Sequence, residues 1–194
     1  MIKPGILQLR IQIDHITPPI WRRLLVDSNA TLKRLHDIIQ VVMGWENSHM
    51  YAFVVKGVEY AASGDMEFSQ SDRSKPPNPQ KARLADLGLS PGKKFKYVYD
   101  FGDDWQHSVA VEKVLSASRE TKVPICLDGQ RACPPEDCGS YPGYDEIHQA
   151  LGDRKNPQWR ELLTWLGDYD PEFFDVGRVN KRLRPRLILA EKQT

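Results

Sequence analysis

The chain has 194 residues, 40% of them hydrophobic, 27% charged and 9% aromatic, with a formal net charge of +1 from 27 basic and 26 acidic side chains. That length predicts one domain able to bury roughly 70% of its unfolded surface without help from a disulfide or metal. Charge so near neutrality excludes a general pull toward nucleic acid or an anionic membrane, though a local patch is compatible with it.

Leu7, Leu9, Ile11 and Ile13 alternate with Gln8, Arg10 and Gln12, the period of a strand with one wet face. His15–Pro19 predicts a turn, because two prolines cannot sit in a ladder. Ile20–Val26 resumes as a strand with Trp21 and Arg23 on one face. Thr31 is placed to cap a helix whose Leu32, Leu35, Ile39, Val42 and Met43 share a face, and Gly44 ends it. His49–Val55 reads as the next strand. Ala62–Arg83, with Gly64, Pro76, Pro77 and Pro79, lacks apolar periodicity and predicts a long, mobile loop of the kind that serves as a flap.

Leu84–Leu89 predicts a short helical turn, and Ser90–Lys93 a tight turn. Phe95, Tyr97 and Tyr99, then Phe101–Asp104, then Val109 and Val111 form the clearest hairpin. The remainder reads as helices over Tyr144–Leu151, Pro157–Leu166 and Glu172–Leu183, with Pro157 and Pro171 at helix starts. The expected architecture is α+β: a β-grasp-like roll with a mixed sheet, one crossing helix, and C-terminal helices packed against it. Within a single domain, 7–120 forms the sheet-rich core, 121–143 a Cys/Pro loop and 144–185 a helical cover.

Two segments concentrate the chemistry. In Tyr99–His107, the carboxylates of Asp100, Asp103 and Asp104 repel one another, so turn geometry or a cation must offset the clustering. His107 and Trp105 project from one face of the outgoing strand. In Cys126–Tyr144, Cys126, Cys133 and Cys138 lie among prolines and glycines. A zinc site is the metal reading, with His107, His148, His49 or a carboxylate as fourth ligand. The spacings match no standard zinc pattern, so small buried cysteines in a stiff loop remain the alternative. Trp45 and His49, at the helix exit, can bracket a pocket or cap the core. The C-terminal basic run from Arg178 to Arg186 reads as a solvated helix end or a phosphate contact.

No apolar run reaches the ~18 residues of a membrane span, and the N-terminus lacks a signal-peptide pattern. With an odd number of cysteines this predicts a cytoplasmic protein with reduced thiols and no membrane contact.

The chain resembles the plasmid pRiA4b ORF-3-like family, also labelled mobile-element passenger "TnpR"-type proteins. The resemblance rests on Pro19–Arg23, Leu35–Gln40 with Met43–Trp45 and His49, Tyr99–His107, Ala132–Gly139, Asp170–Asp175 and Asn180–Leu183. It implies a compact α+β fold and an association with mobile DNA, and it brings no established activity. The residues speak against a resolvase, which needs a serine or tyrosine nucleophile flanked by arginines together with a basic DNA-binding region. Two functions stay open. One is a binding or accessory module with a nucleic-acid or protein partner, using Trp45, Trp105, Glu136, Asp137 and Tyr144. The other is a metal-dependent hydrolase in which Asp100, Asp103, Asp104, His107 and His49 meet the cysteine loop over a cation.

Overall fold

The computed structural model describes residues 5–61, 76–117, 122–153, 155 and 159–191, with side chains through Arg184. Strand β1 (Gly5–Ile13) and strand β2 (Trp21–Asp27) form a hairpin, followed by helix α1 (Leu32–Met43). Strands β3 (Tyr51–Val55) and β4 (Val58–Ala61), a 3-10 turn at Leu84–Leu87, and strands β5 (Lys94–Tyr99), β6 (Trp105–Ser116) and β7 (Ile125–Gln130) follow. Helices α2 (Ser140–Gly152), α3 (Trp159–Leu166) and α4 (Val176–Glu191) close the chain.

The seven strands make one sheet in the order β4-β3-β5-β6-β1-β2-β7, and every pairing is antiparallel. The α+β class holds, but the sheet is not the mixed sheet of a β-grasp roll. The strands joined through α1, β2 and β3, run in the same direction; β1, β6 and β5 lie between them, so no parallel pair forms.

The alternation read in β1 places Leu7, Leu9, Ile11 and Ile13 in the core, and β5 adds Phe95, Tyr97 and Tyr99 to the same face. Helix α1 lays Leu35, Ile39 and Val42 over it, with Leu183 of α4 in the same cluster. Thr31 Oγ1 accepts from the Arg34 N–H, and Gly44 ends the helix at φ +96°, a backbone region that only glycine enters without cost.

Strands β4 and β7 stand where the alternation did not reach. Residues 125–130, expected within a loop, form an edge strand paired with β2 from Leu25↔Ile125 to Trp21↔Gln130. Helix α2 begins four residues earlier than its apolar pattern, and α4 begins at Val176, with Asp170–Glu172 forming a turn. Of the expected 62–83 loop, residues 62–75 lie outside the described residues. Its last part caps α1: the carbonyls of Ala82 and Pro79 accept from the Leu32 and Lys33 N–H groups.

Candidate functional site

Three chain segments meet at the end of the sheet where β5 turns into β6. The first is the exit from α1. Its path is set by a buried polar network in which His36, on the core face of the helix, stacks on Tyr51 with centroids 3.6 Å apart. Tyr97 hydroxyl lies 2.9 Å from His36 Nδ1 and accepts from Gln40 Nε2 at 3.0 Å. Gln40 Oε1 in turn accepts the Asn47 N–H, and Asn47 Oδ1 meets His36 Nε2. One assignment satisfies every group: His36 neutral with its proton on Nε2, and the Tyr97 hydroxyl donating to Nδ1. Burial holds the His36 pKa down to about 4, which keeps the ring neutral. Asn47 takes φ +62°, and the loop delivers His49 to the sheet's end.

The second segment is the hairpin turn. Asp100 sits at φ +57°, a conformation Asp tolerates better than most residues, and its Oδ1 accepts the N–H groups of Gly102 (2.9 Å) and Asp103 (3.3 Å). Its Oδ2 is left pointing at His49 Nε2, 3.7 Å away. The third is the loop after β7. Trp45 donates its indole N–H to the Pro134 carbonyl at 2.9 Å and stacks on Tyr99, which joins this loop to the helix exit. Glu136 Oε1 accepts from the Glu46 N–H (2.7 Å) and the Tyr99 hydroxyl (2.9 Å), while its Oε2 lies 3.8 Å from His49 Nε2. Asp137, at φ +55°, brings Oδ1 to 3.0 Å from the same nitrogen.

The result is one imidazole nitrogen facing three carboxylates. Although shielded from solvent, Nε2 of His49 makes no hydrogen bond of acceptable geometry. The ligand atoms of His49, Asp100 and Asp137 all lie within 4.8 Å of one another, the one such group among the described residues. Asp100 is buried, and Asp137 is largely exposed at 73% of its side chain, so the corner opens to solvent on one side.

The other expected site residues lie elsewhere. Asp103 borders the corner: its carbonyl accepts from Ser140 Oγ and its buried Oδ2 has no hydrogen-bond partner. Asp104 is exposed and accepts from Gln106 Nε2. His107 faces the core, donating from Nδ1 to the Trp105 carbonyl with its ring edge-on to Trp45, and burial lowers its pKa to about 4. Trp45 and Trp105 are buried supports, and Tyr144 packs in the core with its hydroxyl 3.0 Å from His148 Nε2.

The zinc set of Cys126, Cys133, Cys138 and His107 does not form a group of converging ligand atoms among the described residues. Cys126 is under α4, where Asn180 pairs with its backbone. Cys133 packs on Met43 and Arg22, and Cys138 neighbours Asp103. All three are free, and burial raises all three thiols, Cys126 to about 11 and Cys138 to about 12.

The sequence places Tyr99 at the edge of the hairpin segment. Its hydroxyl in fact links two loops, accepting from the Ser48 N–H at 3.1 Å and donating to Glu136. The available signal was an aromatic with a polar tip on the core face of a strand ending at the carboxylates.

A family model described as plasmid pRiA4b ORF-3-like protein matches residues 5–178. The chain belongs to this family. Within it, an uncharacterized protein y4hQ of Sinorhizobium fredii is 36% identical over 183 residues, covering 91% of this chain and 90% of that protein. The crystal structure of MM3350 from Methanosarcina mazei Go1, titled a protein of unknown function, superimposes with a TM-score of 0.79 at 37% identity. That match covers 90% of this chain and 96% of the other. Neither description assigns an activity. The segments that meet at the corner all fall inside the family match.

Proposed function

We propose that the protein is a cytoplasmic binding module that holds a divalent cation at His49, Asp100 and Asp137 and uses it to engage an acidic group of its partner. The observation carrying this is how the carboxylates are held. Asp100 and Glu136 each have one oxygen engaged by donors from the protein, while the second is turned toward His49 Nε2. Donors on the far oxygen orient a ligating carboxylate in the same way. Atoms ligating one ion at ~2.1 Å stand roughly 3.0 Å apart at right angles and 4.2 Å apart when opposite. The separations from Nε2, 3.0 Å to Asp137 and 3.7 Å to Asp100, lie within that range.

A mixed imidazole and carboxylate set suits Mn²⁺, Fe²⁺ or Zn²⁺. Three protein ligands leave coordination positions for water or for a partner's anionic group, with Glu136 flanking them. The free cysteines support a reducing compartment, and the family's plasmid description supports an accessory role on mobile elements. Hydrolysis is not favoured. The cysteine loop adds no thiol ligand to the corner, and the relatives carry no assigned reaction.

The test is titration of tag-free protein with Mn²⁺, followed by loss of the free-ion paramagnetic resonance signal, and with Zn²⁺ by calorimetry. One site per chain is expected, weakened about tenfold or more in Asp100→Asn and His49→Ala. Equal affinity in both variants, or no uptake at millimolar cation, would reduce the corner to an ion pair between His49 and Asp137.

A further inference from the structure

The second face of the sheet is open. From β5 across to β2 its described side chains, Ile6 apart, are half-buried or exposed, whereas the first face is buried against the helices. The registers set these outward side chains in two rows: Trp21, Gln12, Ser108 and Lys96 in one, and Arg23, Arg10, Ala110 and Lys94 in the next.

Along β6 the small Ser108 and Ala110 make a floor. Arg10 and Gln12 rise on one side and Lys94 and Lys96 on the other, about 10 Å apart across two strand spacings. Next to Arg10, the Trp21 ring carries two guanidinium groups, that of Arg10 at 4.9 Å and that of Arg23 at 5.1 Å from its centroid. Its indole N–H is anchored on Gln130 Oε1. Toward one end the face widens into a shallow basin of about 670 Å³ bordered by Arg23, Lys94, Lys113 and Glu112.

The charges are unevenly compensated. Arg23 is paired with Glu112 at 2.7 Å and with Asp128 at 3.3 Å, and is therefore a fixed part of the wall. Lys94 and Lys96 are exposed and have no ion-pair partner among the described residues. Arg10 is hydrogen-bonded to neutral Gln12 and shares the charge of Glu112 with Arg23, so the uncompensated cations of the face are the two lysines. The face thus presents free cations along one wall and a planar, cationic aromatic stack along the other, on a flat floor of small side chains.

We infer that this face binds a short single-stranded stretch of nucleic acid, its phosphates against Lys94 and Lys96 and its bases against the Trp21–Arg10 stack. Single strands combine a regular negative charge with exposed base faces, and open sheets with aromatic and arginine planes recognise that combination. The floor admits one strand along β6. Glu112 at one end, and Asp14 at the other, where it accepts from Ser108 Oγ, close the trough to a longer run of phosphates. The overall charge near neutrality is no obstacle, since the attraction is local and short in range. The inference does not rest on the cation corner.

Fluorescence anisotropy of a labelled oligothymidylate and oligouridylate, with a metal chelator present, tests it. Binding is expected at about 50 mM salt, with log affinity falling against log salt at a slope of about −1.4, as for roughly two phosphate contacts. Lys94→Glu combined with Lys96→Glu should weaken binding by about tenfold or more. Because both side chains are exposed, circular dichroism and melting should be unchanged in that variant. Trp21→Leu should weaken binding by about tenfold while keeping the salt slope. No anisotropy change at low salt overturns the inference, as does a reversed-lysine variant that binds like the parent. Duplex binding as tight as single-strand binding, or equal binding of polyglutamate of matched charge, does the same.

Discussion

Arg22 and His49 both lie against the loop that follows β7, yet their polar surroundings are opposite in kind. Arg22 is buried, and its donors are answered: Nε by the Val42 carbonyl, Nη1 by the carbonyls of Trp21 and Gln130, Nη2 by Cys133 Sγ, with the Phe174 ring 4.1 Å from the guanidinium. Arg131 is similar, joined to Glu172, the Pro18 carbonyl and His148. At His49 two of the surrounding acids, Asp100 and Glu136, have one oxygen answered and one not. Saturated clusters of the first kind hold elements together, because every desolvated donor has recovered an acceptor. An unsaturated cluster gains little for the fold and keeps its capacity for something from outside. The contrast separates polarity spent within the fold from polarity left unpaired, without reference to any reaction.

The largest expected effect removes the difference by disturbing both clusters at once. A Cβ on Gly143, in the first turn of α2, would stand 1.8 Å from the Cys138 carbonyl oxygen, a backbone atom that can yield only if the loop moves. Gly143→Ala should cost on the order of 3 kcal/mol in urea unfolding. It should also abolish cation binding, because Asp137 adjoins the displaced residue. Next comes Arg22→Met, which keeps much of the apolar stem but orphans the Val42 and Gln130 carbonyls. A loss of about 3 kcal/mol is expected, again by urea unfolding. A variant with parental stability would mean that water replaces the guanidinium and that saturation there contributes nothing.

The buried histidines sharpen the comparison through pH. His36 and His107 are both neutral in the fold, with pKa values lowered by burial to about 4 from an ordinary 6.5. Above pH 6.5 neither the folded nor the unfolded chain protonates them. Between about 6.5 and 4 the unfolded chain takes up the protons and the fold does not, so stability declines as pH falls, by roughly 3 kcal/mol per histidine. Below about 4 this contribution levels off. Unfolding curves at a series of pH values should show the decline, and His107→Leu should remove about half of it. A flat profile between pH 7 and 4.5 would contradict the buried neutral assignment.

What the sequence made legible follows the range of the interactions. Thr31 and Gly44 bracket α1 because caps are local, and the β5–β6 hairpin is read from alternation on either side of a turn. Strand β4 follows the Lys56-Gly57 pair, and both residues take positive φ, as a two-residue hairpin turn demands. Strand β7 has almost no such local signal. Asp128 and Gly129 interrupt its apolar run, and Gly129 is required because Phe174 and the Trp21 carbonyl occupy the space a Cβ would fill. Pairing with β2 makes it a strand, and that is decided by tertiary structure. The site divides in the same way. The sequence marks Asp100, His49, Glu136 and Asp137 as residues able to do chemistry, but which of them meet depends on the sheet order. His107, two residues from Trp105 on the same strand face, turned inward because that face is the core.

The smallest expected change in stability is also the most discriminating. Asp137 is largely exposed, and the ion pair its carboxylate makes among the described residues is with His49. Asp137→Asn should therefore shift the unfolding free energy of the metal-free protein by less than about 0.5 kcal/mol. A ligand that binds only the folded chain should behave differently: at about 100 times its dissociation constant it adds roughly 2.7 kcal/mol of stability. The parent should thus gain a measurable rise in melting temperature on addition of Mn²⁺ or Zn²⁺, and Asp137→Asn should lose most of that rise while starting from the same point. If the variant instead melts lower without cation and the increment is retained, Asp137 belongs with Arg22 as a structural partner, and the corner's ligands reduce to His49 and Asp100. If both baseline and increment are unchanged, the cation sits elsewhere. Only a fixed baseline with a lost increment matches a carboxylate that serves the ion and not the fold.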